Sequence, residues 1–472
     1  MDALRTAIFD GRLPAGARLP ATRTLAADLA ISRGVVVEAY QRLTDEGLVT
    51  ARTGAGTVVT AAAPPADTRR SGTPPPGGRP AGGRPVGDRV AGERLAGGLR
   101  LPLPPPPGTE LNLSPGVPDL SAFPRAAWLR AERAVLDHAT PTDLSYGDPR
   151  GNARLRHELI RWLARTRGVQ AEADDVLVVG GVAQALALLA QSLRARGMDA
   201  IAVEDPGSRG ARDQLAHWGL RPIPVPVDAD GMRIDDLTGT GLDAALLTPA
   251  HQFPTGVVLG PRRRIALLEW VAAGSRLVIE DDYDAEHRYD RAPVAALHAS
   301  APDRVAYTGS TSKSLAPGMR LGWLIAPRGL RDDLIAAKHA TDLGNPALPQ
   351  LVVAHLLASG EYERHLRHVR ARQRHRRDAL LAGLREHLPA ARVEGIAAGL
   401  HLLITLPHLA GQIDDTELAR HVGATGIFVH PLSWHRLRPG PPGLVIGYAA
   451  QAPDRLREAG RRLAQAVNTF RP

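Results

Sequence analysis

Apolar positions recur along this chain in distinct rhythms, and each rhythm predicts a different kind of structure. In residues 2–9, Leu4, Ile8 and Phe9 share one helical face, so a short amphipathic helix is expected. The segment GRLPAGARLP stops it with paired glycines and prolines. Thr22 to Ala30 (TRTLAADLA) reads as a second helix. Ser32 caps a third, RGVVVEAYQRLTDEG, which Gly47 ends. Only Ile31 and Ser32 separate these two helices, which is helix-turn-helix spacing. LVTARTGAGTVVT follows as two β-rich runs around Gly54 and Gly56, the pattern of a hairpin wing.

From Thr109 onward the rhythm changes. Helical segments alternate with short, continuous apolar runs: DVLVVGG, AIAVEDP, AALLTPA, RLVIEDD and RVAYTGS. Continuous runs of that length are expected of parallel strands buried on both faces. The expected class is therefore α/β, a mostly parallel sheet with helices on both faces, joined to a small N-terminal winged helix-turn-helix. Between the two, residues 61–108 have no rhythm. Pro and Gly make up 22 of these 48 positions, which forbids a packed core and predicts a linker. As a flexible coil its ends would lie about 35–40 Å apart. The expected domains are thus 1–60, the linker 61–108, and 109–472.

Composition narrows the setting. The chain has 472 residues and no cysteine, so disulfides and thiolate metal sites are excluded and a reducing, cytoplasmic setting is expected. No signal peptide opens it, and no run of apolar residues is long enough to span a membrane. The net charge of +9 permits an acidic partner such as DNA. The head contributes little to it: through Thr60 there are seven arginines against six acids. The linker holds seven arginines, which suit either weak phosphate contacts or a merely soluble tether.

The basic residues carry a sharper signal. Of 58 lysines and arginines, only Lys313 and Lys338 are lysine. Arginine stays protonated, whereas a lysine amine can lose its proton and form an imine with an aldehyde. Lys313 lies in YTGSTSKSLAPGMRLGW, with Ser310 and Ser312 before it and Arg320 seven residues after. Hydroxyls and a guanidinium around one amine suit an aldehyde that also carries a phosphate, and pyridoxal 5'-phosphate (PLP) is the candidate. Ligands of open α/β sheets gather at the carboxyl ends of strands. There Gly180–Gly181 open a helix whose N–H groups, at Val182 and Ala183, could hold a phosphate. Asp281 and Tyr283 follow RLVIE; a carboxylate can keep a pyridine nitrogen protonated, and a tyrosine can bond a ring hydroxyl. Taken without the lysine, Asp281 and Asp282 suit a solvated loop or a metal site. With it, no metal is expected.

Two resemblances organise these residues. GRLPAGARLPATRTLAADLAISR, VVVEAYQRLTDEGLV and RTGAGTVV resemble the winged helix-turn-helix of GntR-family regulators. This implies double-stranded operator DNA as partner, met by Arg23, Thr24, Ser32, Arg33, Gly34 and Arg52, with Arg52 on the wing reaching a phosphate or the minor groove. The set Asp281, Tyr283, Lys313 and Arg320 resembles fold type I PLP enzymes of the aminotransferase type. With YGDPRG, VEDPG, TPAHQFPTG, IEDDYDAEHRYD and SKSLAPGMRLGW, residues 109–472 look like the aminotransferase-like domain of MocR-type regulators, a GntR subgroup. That resemblance implies that Lys313 carries PLP as an imine, Asp281 pairs with the pyridine nitrogen and Tyr283 with the ring oxygen. Ser310, Ser312, Arg320 and the N–H groups of Val182 and Ala183 would hold the phosphate. It also implies a homodimer, often head-to-tail, with Tyr146 reaching the phosphate of the partner subunit, and a small effector such as an amine, an amino acid or PLP itself.

The chain also departs from these patterns. Its first helix begins almost at Met1, a turn or more short, which leaves a start upstream open. Gly34 replaces a polar residue that would contact DNA. Val182-Ala183-Gln184 stands where the family reads Ser-Gln-Gln, and Ser208 where an aromatic would stack on the ring. Val445 occupies the slot of the arginine that holds a substrate carboxylate, with Arg436 and Arg438 nearby as substitutes. The reading is therefore a PLP-dependent transcriptional regulator with weak or absent turnover. A working aminotransferase with a DNA-binding appendage, and a DNA-binding dimer that has lost PLP, are the alternatives.

Overall fold

The structure is a computed structural model that describes residues 2–9, 12–45, 48–52, 56–60, 105–289, 294–407 and 411–470. Gly47, Gly54 and the linker to residue 104 lie outside the described residues.

In the head, the first helix is Asp2–Phe9 and buries Ile8. The second, Thr22–Asp28, ends two residues earlier than expected. Ala30 takes a left-handed φ of 52°, and the N–H of Ile31 bonds back to the Ala26 carbonyl at 3.0 Å. That is the closing geometry usually supplied by glycine after a helix, so the turn comprises residues 29–32 rather than Ile31–Ser32 alone. The Ser32 hydroxyl accepts the Val35 N–H at 3.4 Å, and the third helix runs Arg33–Asp45. Val36, Tyr40 and Leu43 bury its inner face. Val49–Arg52 and Gly56–Val59 pair antiparallel as the wing, and Arg18 bridges Val58 on its other side.

The large domain is built on an eight-stranded sheet. In spatial order the strands are Val176–Val179, Gly322–Ile325, Val305–Ser310, Leu277–Asp281, Ala244–Leu247, Ala200–Asp205, Arg221–Asp228 and Gly231–Met232. All run one way except Gly322–Ile325 and Gly231–Met232, which pair antiparallel with their neighbours. The five apolar runs read from the sequence are all strands of the parallel set. Alternation along each strand sends side chains to opposite faces. Leu177 and Val179 pack under the helix Val182–Ala195, while Val176 and Val178 pack under Ala153–Arg167 and Ala347–Ala358.

Three strands of this sheet escaped the sequence reading, among them the two-residue Gly231–Met232. Gly322–Ile325 is hidden inside the lysine motif. Arg221–Asp228 carries Pro222, Pro224 and Pro226, which argue against a ladder strand. Their spacing resolves this: alternate residues send their N–H groups to one side, and the ladder to Ala200–Asp205 uses the other side.

A second, four-stranded antiparallel sheet has the order Arg392–Glu394, His401–Thr405, Gly443–Gly447, His430–Pro431. The helix Glu361–His387 crosses Pro453–Thr469 beside it. The crossing is close because glycines meet: a Cβ on Gly383 would lie 2.4 Å from the Arg457 carbonyl oxygen.

Candidate functional site

The parallel strands end at one edge of the sheet, and a cavity of about 410 Å³ opens there. Asp281 is the last residue of Leu277–Asp281, and Ser310 the last of Val305–Ser310. Gly180–Gly181 lead from Val176–Val179 into the helix Val182–Ala195. Lys313, Ser312, Arg320, Tyr283, Val182 and Ala183 line the same cavity. Residues as far apart in sequence as Val182 and Arg320 thus meet because the strands are parallel and share an end.

Lys313 points inward, and its Nζ donates to the Gly116 carbonyl at 2.6 Å. Burial pushes its pKa below the usual lysine value, although Asp284 and Asp281 pull the other way. The neutral, nucleophilic amine is thereby favoured. Burial, with Asp282 and Asp284 adding repulsion, pushes the Asp281 carboxyl up to about 7. The Thr308 hydroxyl, its neighbour across the parallel ladder, donates to Asp281 Oδ1 at 3.4 Å. Tyr283 is held as a neutral phenol by burial and by Asp284, its hydroxyl 3.2 Å from His251 Nδ1, which also lies 2.8 Å from Asp284.

Asp282, next on the chain, faces away from the cavity. It pairs with Arg167 at 2.6 Å and accepts the Tyr307 hydroxyl at 2.5 Å. The acidic pair is therefore split between two faces and is not a solvated loop. Among the described residues no group of acids and histidines has metal-binding geometry.

At the other end of the cavity, Arg320 takes a left-handed φ of 46°, and its guanidinium lies against Gly181. A Cβ on Gly181, whose own φ is 93°, would come within 3.2 Å of Arg320 Nη1, so glycine is required there. No carboxylate pairs with that guanidinium among the described residues. Arg320, the free N–H groups at the helix start, and the Ser310 and Ser312 hydroxyls make one donor set suited to an anion.

Tyr146, expected to serve the partner subunit, is 90% exposed. The residues at and near the expected carboxylate slot are elsewhere. Arg438 bonds the Pro224 carbonyl at 2.9 Å, and neither it nor Arg436 lines the cavity. Val445 is fully buried against Leu403 and Leu432. Ser208 does line the cavity, but its hydroxyl accepts the Ala211 N–H at 3.3 Å and caps the helix Arg209–His217. Arg320 is the only arginine among the described lining residues. Sequence reasoning missed Gly116, which contributes only a carbonyl and so leaves no side-chain signal. It also missed Thr308, which its place opposite Asp281 in two predicted neighbouring strands could have revealed.

In the head, Arg23, Thr24, Ser32, Arg33 and Gly34 are all exposed, at the starts of the second and third helices. Arg52 pairs with Gly56 in the wing, and its side chain lies outside the described residues.

Residues 109–463 match the family model for aminotransferase class I and II, and residues 1–59 that for bacterial regulatory proteins of the gntR family. The chain is 31% identical to the probable rhizopine catabolism regulatory protein MocR of Rhizobium meliloti, over 98% of this chain and 92% of that one. The chain belongs to this family of HTH-type regulators. It is also 32% identical to the HTH-type pyridoxine biosynthesis transcriptional regulator PdxR of Corynebacterium glutamicum, over 99% of this chain and 95% of the relative. The regulator's large domain aligns with the crystal structure of Pyrococcus horikoshii kynurenine aminotransferase at a TM-score of 0.69 and 26% identity, covering 76% of this chain and 90% of that one. The same TM-score and identity relate it to the Thermus thermophilus α-aminoadipate aminotransferase LysN, solved with N-(5'-phosphopyridoxyl)-L-leucine, over 77% and 92% of the two chains.

Proposed function

We propose that this regulator holds PLP in its large domain, senses a small amine, amino acid or PLP itself there, and binds operator DNA through its head. One observation carries the proposal: the amine of Lys313, half-buried with its pKa lowered, stands beside Asp281 at one end of a cavity whose other end is an unpaired Arg320.

The residues fit the cofactor. PLP supplies an aldehyde that condenses with amines and a protonated ring that withdraws electrons. Lys313 is the amine placed for that aldehyde, already partly stripped of its proton preference. Asp281, a buried carboxyl short of cationic partners, would hold a proton on the ring nitrogen. Tyr283 would donate to the ring oxygen. Ser310, Ser312, Arg320 and the N–H groups of Val182 and Ala183 would bind the phosphate.

Transamination demands more than binding, because a bidentate guanidinium normally orients the substrate carboxylate. The described lining offers Arg320 alone, and the phosphate would claim it. This favours sensing over turnover.

A homodimer is part of the proposal. Leu120, Leu129, Leu136, Leu144 and Tyr146 are all exposed, and large exposed apolar side chains concentrated in one stretch mark an association surface. Tyr146 would then serve the partner subunit's site. Residues 61–108 would tether each head, and cytoplasmic location follows from DNA as partner. The test is purification of the full chain, its absorbance before and after borohydride, and its binding to the intergenic DNA beside its gene with and without PLP. A colourless protein that takes up no PLP, or DNA binding indifferent to PLP and to amines, would refute the proposal.

A further inference from the structure

Lys338, the other lysine, does not line the cavity. It sits on the helix Arg331–Asp342 with 0% of its surface exposed. Three oxygens surround its ammonium: Asp342 Oδ1 at 3.0 Å, Asp342 Oδ2 at 2.9 Å and Asn345 Oδ1 at 2.8 Å. An ammonium presents three donors from one point, and all three are matched by these oxygens.

The network continues toward the cavity. Gln184 Nε2 donates to Asp342 Oδ2 at 2.6 Å, and Gln184 Oε1 accepts the Gly180 N–H at 2.6 Å. Gln184 stands three residues into its helix, where a side chain can reach back to cap a free N–H. The chain of bonds ends on Gly180, the residue before the glycine that the Arg320 guanidinium rests on. Burial would raise the Asp342 carboxyl, but hydrogen bonds from Gln184 and Lys338 hold it below the usual range, so the central anion of the chain is kept charged.

We propose that Lys338, acting through Asp342 and Gln184, is a positioning residue for the anion-binding end of the cavity. It fixes Gly180–Gly181, and with them the helix N–H groups and the seat of Arg320, in register for a phosphate monoester. The proposal rests on the PLP reading above and predicts an effect confined to the phosphate.

The test compares PLP with pyridoxal, which has the same ring and aldehyde but no phosphate. Both are titrated into the full-length chain and into Lys338→Met, Gln184→Ala and the double variant, followed by absorbance and by borohydride-fixed label. Each single variant weakens PLP by roughly 10- to 100-fold, the range seen when a residue that orients a direct ligand is removed, and leaves pyridoxal unchanged. The double variant falls no further than about twofold below the weaker single one, because both substitutions cut the same chain. Equal losses for both ligands would reduce Lys338 to a general structural role and overturn the proposal, as would no loss for either. Should Lys338→Met fail to fold, Gln184→Ala decides, since it leaves the buried ion pair intact. A wild-type chain that binds neither ligand would sink the PLP reading itself and this proposal with it.

Discussion

The Lys313 Nζ lies 2.6 Å from the carbonyl oxygen of Gly116, a residue 197 positions earlier in the chain. The contact pins the amine at the cavity wall. Gly116 adopts a φ of 81°, and a Cβ there would stand 3.2 Å from Nζ, so this wall fits the lysine only as glycine. Lys313→Ala is expected to remove all borohydride-fixed PLP while the far-ultraviolet dichroism stays native. Lys338 cannot substitute, because its ammonium is buried and enclosed by Asp342 and Asn345. Peptide mapping of the reduced protein checks this; label retained in the variant would contradict the assignment.

Turnover with common amino acids should be negligible. Losing a bidentate, charge-assisted carboxylate contact weakens binding by roughly 1.5–3 kcal/mol, and misorientation can slow the reaction by another ~100-fold. PLP-loaded protein mixed with a panel of amino acids and 2-oxo acids should complete at most one slow half-reaction. Sustained turnover near ~1 per second, the ordinary enzyme range, would promote the aminotransferase alternative.

Arg33 begins the third helix of the head and is exposed. Arg33→Ala should weaken operator binding by about 1–3 kcal/mol if it reads a base edge. Titrations against the operator and a scrambled duplex at matched salt separate the cases: an equal loss on both would make it a phosphate contact. Residues 1–60 alone should bind much more weakly than the full chain, because two tethered heads gain from effective concentration.

Acid should destabilise the fold through its buried imidazoles. Burial lowers the pKa of His298 to about 4, although Asp175 and Asp303 pull the other way. The unfolded chain takes up that proton near pH 6.5, so between 6.5 and about 4 the unfolded state binds more protons and stability falls with pH. The buried carboxyls of Glu204 and Glu280, pushed up to about 7, act in the opposite direction as pH rises toward 7. His298→Phe removes one proton from the first group, so its stability slope below pH 6.5 should flatten by about 1.4 kcal/mol per pH unit relative to wild type. Urea midpoints across that window provide the measurement, and an unchanged slope would refute it.

Five of the six strands that run together were legible because burial on both faces writes them as unbroken apolar runs; the sixth, Arg221–Asp228, was hidden by its prolines. The cavity was legible in its charged and hydroxyl-bearing members, Asp281, Ser310, Lys313 and Arg320, because those residue types have chemistry apart from packing. What depends on distant backbone was not. Gly116 acts through a carbonyl, and Gln184, read from sequence only as part of a departure from a donor motif, fixes the Gly180 loop through Asp342. The second helix of the head was read two residues too long because an alanine, not a glycine, takes the left-handed position that ends it.

The strand Arg221–Asp228 turns three prolines outward at every second residue. Beyond the two residues that pair with Gly231–Met232, that margin offers no amide protons, and the Pro224 and Pro226 carbonyls are already taken by Arg438 and the Arg233 N–H, so a foreign strand would find little to pair with. Endless stacking of chains sheet edge to sheet edge is thus discouraged on that side of the molecule.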